Sequence, residues 1–383
     1  MMKMKIQLII IFLIVHSSSW AYDVKSYEKK INNSYSIKSL VEKIDKKSLE
    51  TELRNFIDSG RPNRVAGSLG HKKTQKYLEE NLKAIKGDNV TVSLMEFSPD
   101  VVSAGKMYQD DFNREIVAKL PPNDPNYLRW KNFTLSMING LDKIKNIRGK
   151  NYIFEKKGKI NPQEVIILGA NYDTLNHDSK TMKIDMEGKM PGADNNGTGV
   201  AALITFAKLL SVIDTDRTIR IVFFDMEEFG FLGSKAYAES LKENTKEKIL
   251  GFVNLVMLGN DSKVKDTTKK LGNMKIYSRS PDADSIGANQ DLILANKLIE
   301  FPKKNYSQVN FELTANGMNS SSHIRFWEQK IPALVFTQDW ENDFNPRYHG
   351  SDDFYETINF NTYFNSFRYV IFGVLCFNFG IVK

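Results

Sequence analysis

Four short apolar runs constrain this chain more than any other feature: residues 165–170, 219–224, 252–258 and 333–336. Each is continuous and bounded by Gly, Asp or charged residues. Strands that are apolar at nearly every position must be covered on both faces, as they are in an α/β sheet, although periodicity alone also admits short pieces of buried helix. Between the first two runs, residues 198–211 carry Val200, Leu203, Ile204, Ala207 and Leu210 on one helical stripe. Strand, helix, strand implies a right-handed crossover and a parallel pair. With 383 residues the chain can build one large α/β domain or two ordinary ones.

The start reads as a leader. Lys3 and Lys5 precede an apolar run over 6–15, and Ser19-Trp20-Ala21 fits a small-residue cleavage site, so residues 1–21 are expected to be a signal peptide cut after Ala21. That run is too short for a mature membrane span. A periplasmic or secreted location follows, with no membrane contact once the leader is gone. The single cysteine, Cys376, allows no internal disulfide, so the fold must rest on its core. Cys376 lies in an apolar stretch over 369–382 that reads as a terminal packing helix with a buried, inert thiol. The formal charge of +7 falls by two with the leader, and the lysines are scattered, which argues against nucleic-acid binding.

Residues 22–50 are polar and lysine-rich, an N-terminal arm or helix, and the main domain is expected over 51–383. Leu53, Phe56 and Ile57 suggest a helix that Gly60-Arg61-Pro62 ends; Tyr77, Leu78, Leu82 and Ile85 suggest another over 71–86. Residues 103–145, with Pro121, Pro122 and Pro125, read as an insertion.

In open α/β sheets, ligands bind past the carboxyl ends of the strands. After the first run comes Asn171-Tyr172-Asp173, then a loop holding Asp194 in a glycine-rich turn before the 198–211 helix. After the second comes Asp225-Met226-Glu227-Glu228, and beyond the fourth comes Tyr348-His349-Gly350-Ser351-Asp352-Asp353. Carboxylates and a histidine thus arrive at one sheet edge from separate parts of the chain. Asp, Glu and His suit zinc; three such ligands and a water make a catalytic site, with a neighbouring carboxylate as base. Singly, each piece is ordinary: a Glu-Glu pair is usually a solvated face, Asp-Asn-Asn-Gly a plain turn, a lone His a packing residue.

Together, P-G-A-D-N-N-G-T-G-V-A (191–201), F-F-D-M-E-E-F-G-F-L-G-S (223–234) and Y-H-G-S-D-D (348–353) resemble the zinc exopeptidase family of bacterial leucyl aminopeptidase and aminopeptidase Y, whose superfamily includes glutaminyl cyclase. R-V-A-G-S-L-G-H (64–71) resembles its N-terminal signature. The resemblance runs from about Leu53 to the C-terminus, poorest over 103–145 and 262–290. It implies a three-layer helix–sheet–helix α/β fold with a mixed, mostly parallel eight-stranded sheet. It implies metal ligands Asp194, Glu228 and His349, general base Glu227, and a cis peptide at Asp194-Asn195.

The departures from the family pattern cluster. Asn171 stands where the family has a zinc-binding His, Val256 where it has a zinc-binding Asp, and Ser322 where it has a supporting Asp. Asp173 then has no His to orient. Asn is a poor zinc ligand and Val none, so the two ligands peculiar to one metal are gone while the other three remain. The expectation is one zinc ion, with His177 as a conceivable substitute ligand. The resemblance then implies a monomeric aminopeptidase acting on peptide or protein N-termini. A glutaminyl cyclase, or a decayed member acting as a binding protein, are the alternatives; Tyr348 speaks against the cyclase, which tends to have Trp there.

Overall fold

The computed structural model describes residues 37–243, 246–262, 274–305 and 309–381. The expected signal peptide and the beginning of the 22–50 arm lie outside them. The described chain opens with helices α1 (Ile37–Glu42), α2 (Lys46–Ser59) and α3 (Leu69–Ala84). Asp45 caps α2 by accepting the Ser48 N–H, and Ser68 caps α3 by accepting that of His71. Between them Gly60 and the cis bond Arg61-Pro62 turn the chain. Then follow β1 (Val90–Phe97), α4 (Val101–Phe112), α5 (Pro125–Ile144), β2 (Gly149–Lys156), β3 (Asn161–Asn171), α6 (Gly199–Leu210), β4 (Arg217–Phe224), α7 (Leu232–Ser240) and β5 (Lys248–Leu255). The remainder is β6 (Met274–Tyr277), α8 (Ser285–Asn305), β7 (Phe311–Thr314), α9 (His323–Glu328), β8 (Ala333–Thr337) and α10 (Phe360–Asn378).

One eight-stranded sheet has the order β1-β2-β4-β3-β5-β8-β6-β7. The four apolar runs are its four central neighbours, β4, β3, β5 and β8, all mutually parallel. Antiparallel pairs flank them: β1 with β2, β2 with β4, and β6 with β8. The burial explains the runs. Along β3, Ile166, Leu168 and Ala170 join one apolar cluster with α2, α3, α6 and α10, while Val165 and Ile167 join another with Tyr237 of α7 and Phe326 of α9. Both faces are therefore dry, and every position can be apolar. Phe252 and Phe326 stack in the second layer with ring centroids 3.8 Å apart.

Within the 103–145 segment, α4 and α5 pack on each other and bury Ala104, Phe112, Met137, Leu141 and Ile144 in a cluster that includes Phe229 and Leu232. Within 262–290, Met274–Tyr277 is strand β6. The expected terminal helix is α10, which buries Cys376. Among the described residues no helix is long and apolar enough to cross a membrane.

Candidate active site

The carboxyl ends of β3 and β4 lie side by side, with Asn171 opposite Phe224. The chain leaves β4 into Asp225, then Met226 at φ 53°, a left-handed conformation rare for a side chain of this size. That reversal presents Glu227 and Glu228, both buried. Asp173, two residues past β3, fixes it: its Oδ1 accepts the Glu227 N–H at 3.1 Å and its Oδ2 the Glu228 N–H at 3.0 Å. Asp173 thus orients the Glu-Glu backbone, a task that needs no histidine partner.

His349 reaches the same place, also with positive φ (56°). Its Nε2 lies 2.8 Å from Glu228 Oε2, and Tyr348 stacks on its ring at 3.7 Å. Glu228 Oε1 accepts from Asn195 Nδ2 at 2.8 Å. Glu227 Oε1 accepts from Ser321 Oγ at 2.9 Å, and Ser321 Oγ in turn accepts from Asn254 Nδ2. Burial, then the charges of Glu228 and Asp173, push the Glu227 carboxyl well above its usual range, with the Ser321 hydroxyl pulling the other way. Tyr108 of α4 donates its hydroxyl to the Glu228 carbonyl, so the segment that reads as an insertion reaches the site.

Asp194 is the one expected ligand not brought to this pair. Its Oδ1 accepts from the Gly259 N–H (2.8 Å) and Thr198 Oγ1 (3.3 Å), and its Oδ2 from Asn345 Nδ2 (2.8 Å). Among the described residues no three His, Cys, Asp or Glu side chains gather so as to hold a metal ion. The cis peptide also falls one residue later than expected, at Asn195-Asn196. The loop therefore delivers the Asn195 amide, not the Asp194 carboxylate, to Glu228. Asp353 pins this loop, accepting the N–H groups of Asp194 and Asn195.

The positions expected to have lost a metal ligand are filled without charge. Asn171 Oδ1 accepts from Asn196 Nδ2 at 2.9 Å. Val256 packs with Met257, Tyr277 and Val335 in an apolar cluster bordered by Met318, Trp340 and Tyr348. His177 packs edge-on against His349 with centroids 5.5 Å apart, and its Nδ1 is buried without a hydrogen-bond partner. Burial and the neighbouring His349 lower its pKa, which keeps the ring neutral.

The 64–71 signature supports the site from below. The fully buried Arg64 donates to the carbonyls of Tyr172, Pro191, Gly192 and Asn195, tying the loop after β3 to the loop before α6. His71 Nε2 lies 2.7 Å from Asp225 Oδ1. Ser321, Asn195 and Tyr108 are the contributors that sequence reasoning missed. Ser321 stands beside the singled-out Ser322, and Asn195 beside Asp194, so the motifs were visible but not which neighbour faces inward.

The sequence profile described as Peptidase family M28 matches residues 151–372. Aminopeptidase YwaD of Bacillus subtilis is 27% identical over 222 residues, 56% of this chain and 41% of that protein. A probable zinc metalloprotease of Pyrenophora teres f. teres is 27% identical over 191 residues, 49% of this chain and 39% of that protein. The chain thus spans about two fifths of the length of these relatives. Among solved structures, the LapA aminopeptidase of Legionella pneumophila superposes with a TM-score of 0.60 at 17% identity, covering 95% of this chain and 79% of that one. A glutaminyl cyclase of Bacteroides thetaiotaomicron gives 0.57 at 18% identity, covering 87% and 97%. With its profile match extending from β2 into α10, and with the sheet and motif order those strands carry, this chain belongs to Peptidase family M28.

Proposed function

We propose that this chain is an exported, zinc-dependent peptidase of the aminopeptidase type, hydrolysing the first peptide bond of peptides or proteins with a free N-terminus. The observation that carries the reading is the buried Glu227 next to a Glu228–His349 pair 2.8 Å apart, past the carboxyl ends of parallel strands. The pair supplies one carboxylate and one imidazole, side by side, two of the three protein ligands that a catalytic zinc takes, with the other oxygen of Glu228 held by a neutral amide. Asp194, the third ligand that the resemblance implies, holds its oxygens on Gly259, Thr198 and Asn345 in this conformation. Glu228 and His349 would therefore hold a single ion, which when bound polarises the scissile carbonyl and acidifies a water.

The chain's own groups handle the proton. Glu227 takes it from water and returns it to the leaving amine. Ser321 and Asn254 hold the Glu227 carboxylate in one orientation. Asp173 keeps the Glu227 and Glu228 backbone in register. Export rests on the leader over residues 1–21.

A second reading, a peptide-binding protein without turnover, draws on one specific observation: Asp194 accepts from Gly259, Thr198 and Asn345 while Asn195 occupies Glu228. One experiment separates the readings. The chain is assayed with and without added zinc on unblocked aminoacyl, N-blocked and N-terminal glutamine substrates, and again as Glu227→Gln. Zinc-stimulated cleavage of unblocked substrates that falls by about 10²–10⁴ in the variant supports the peptidase. Ammonia release from N-terminal glutamine would instead indicate cyclase chemistry, and no turnover at any zinc concentration the binding protein.

A further inference from the structure

Two adjacent residues compete for the place beside Glu228 and His349, and the structure gives it to the neutral one. Asn195 is 2% exposed, and its backbone is held from both sides: Asp353 Oδ2 accepts its N–H at 2.9 Å, and Arg64 donates to its carbonyl at 3.4 Å. With the backbone fixed, its side chain is aimed at Glu228 Oε1. Asp194, one residue earlier, faces the Gly259 N–H, Thr198 and Asn345. Rotating Asp194 toward Glu228 would strip buried donors of their acceptor, which is costly in a dry interior.

We propose that Asn195 sets the cation affinity of this site, by filling with a neutral amide the place beside Glu228 and His349 where a charged third ligand would stand. A divalent cation entering here must first displace the Asn195 N–H from Glu228. It then meets one carboxylate and one imidazole, and an amide is a poor zinc ligand. The native chain consequently holds zinc weakly and exchanges it. A carboxylate at position 195 would add a second negative charge at a point the backbone already aims at the pair. The inference takes from the peptidase reading only where the cation sits, and its test needs no turnover.

Zinc binding is measured by isothermal titration calorimetry on the full chain as wild type, Asn195→Asp, Asn195→Ala, and Asn195→Asp combined with His349→Ala. A zinc-induced rise in melting temperature is recorded in parallel. The expected result is at least a tenfold tighter zinc dissociation constant in Asn195→Asp, abolished by the added His349→Ala, with Asn195→Ala within threefold of wild type. The Asn195→Asp melting temperature should lie below wild type without zinc, because two buried carboxylates then face each other, and recover with it. Where the Asp variant does not fold, Asn195→His supplies a strong donor without a second carboxylate and should also tighten binding tenfold. Unchanged affinity in both variants, or a gain that survives His349→Ala, overturns the inference. Failure of the peptidase reading is seen separately, as lack of turnover in a chain whose zinc affinity still follows residue 195.

Discussion

Two polar clusters are buried at the ends of the same strands, and they differ in how charge is treated. The supporting cluster (Arg64, His71, Asp173, Asp225 and Asp353) holds each polar side chain by fixed hydrogen-bond partners. Asp225, for example, accepts from Gln75, the Lys150 N–H and the Met226 N–H besides meeting His71. In the reacting cluster, Glu227, Glu228 and His349 remain, but their surroundings at Asn171, Asn195 and Val256 are neutral. Charged side chains thus anchor the support, while the neighbours of Glu227, Glu228 and His349 at these three positions are uncharged. Variants in the two clusters should differ in kind.

The largest effect is expected in the support. Arg64→Met removes the guanidinium donor from four carbonyls, of which Gly192 keeps the Gly197 N–H. It should cost about 5 kcal/mol, read as a large fall in the urea midpoint at unchanged slope. His71→Ala breaks a buried pair and should cost about 3–5 kcal/mol, with a pH signature. Burial alone would discharge His71, but Asp225 outweighs it and raises the His71 pKa; burial likewise opposes Asp225, yet His71 and the surrounding donors lower its pKa. The histidine's stabilising share is fully present below its unfolded value and lost as pH rises through the raised folded one. The aspartate's share is present above its unfolded value and lost as pH falls through the lowered folded one. The gap between wild type and His71→Ala should therefore be widest between about pH 4 and 6.5 and narrow on either side, as checked by denaturation across pH.

Where the support touches the reacting groups, effects should be smaller in stability and larger in function. Asp173→Asn leaves one of two backbone N–H groups poorly matched, a cost of about 1–2 kcal/mol, and loosens the Glu227–Glu228 turn. Ser321→Ala removes the side-chain donor that lowers the Glu227 pKa. The acidic limb of the rate–pH profile should then move to higher pH, by about half a unit, with little change in stability.

The central sheet was legible because its strands are covered on both faces, which writes continuous apolar runs into the sequence. Strands β1, β6 and β7 were not: β1 is largely exposed along its length, and the other two have four residues each. Helices α4 and α5 were masked by the prolines around 121–125, although Pro125 opens α5 behind its Asp124 cap. At the site, residue types on the strand ends pointed to Glu227, Glu228 and His349. Whether Asp194 or Asn195 faces Glu228 depends on how Asp353 and Arg64, distant in sequence, hold this loop. Ser321 was hidden for a related reason, since its contact crosses 94 residues of chain to Glu227.

The most direct test of the account is anomalous diffraction at the zinc edge from crystals of the wild-type chain equilibrated with millimolar zinc. The account predicts a single peak within bonding distance of Glu228 and His349, with the Asn195 amide turned away from Glu228 and Asp194 still on Asn345 and Gly259. Two peaks, or one peak bound by Asp194 and not by His349, would contradict it.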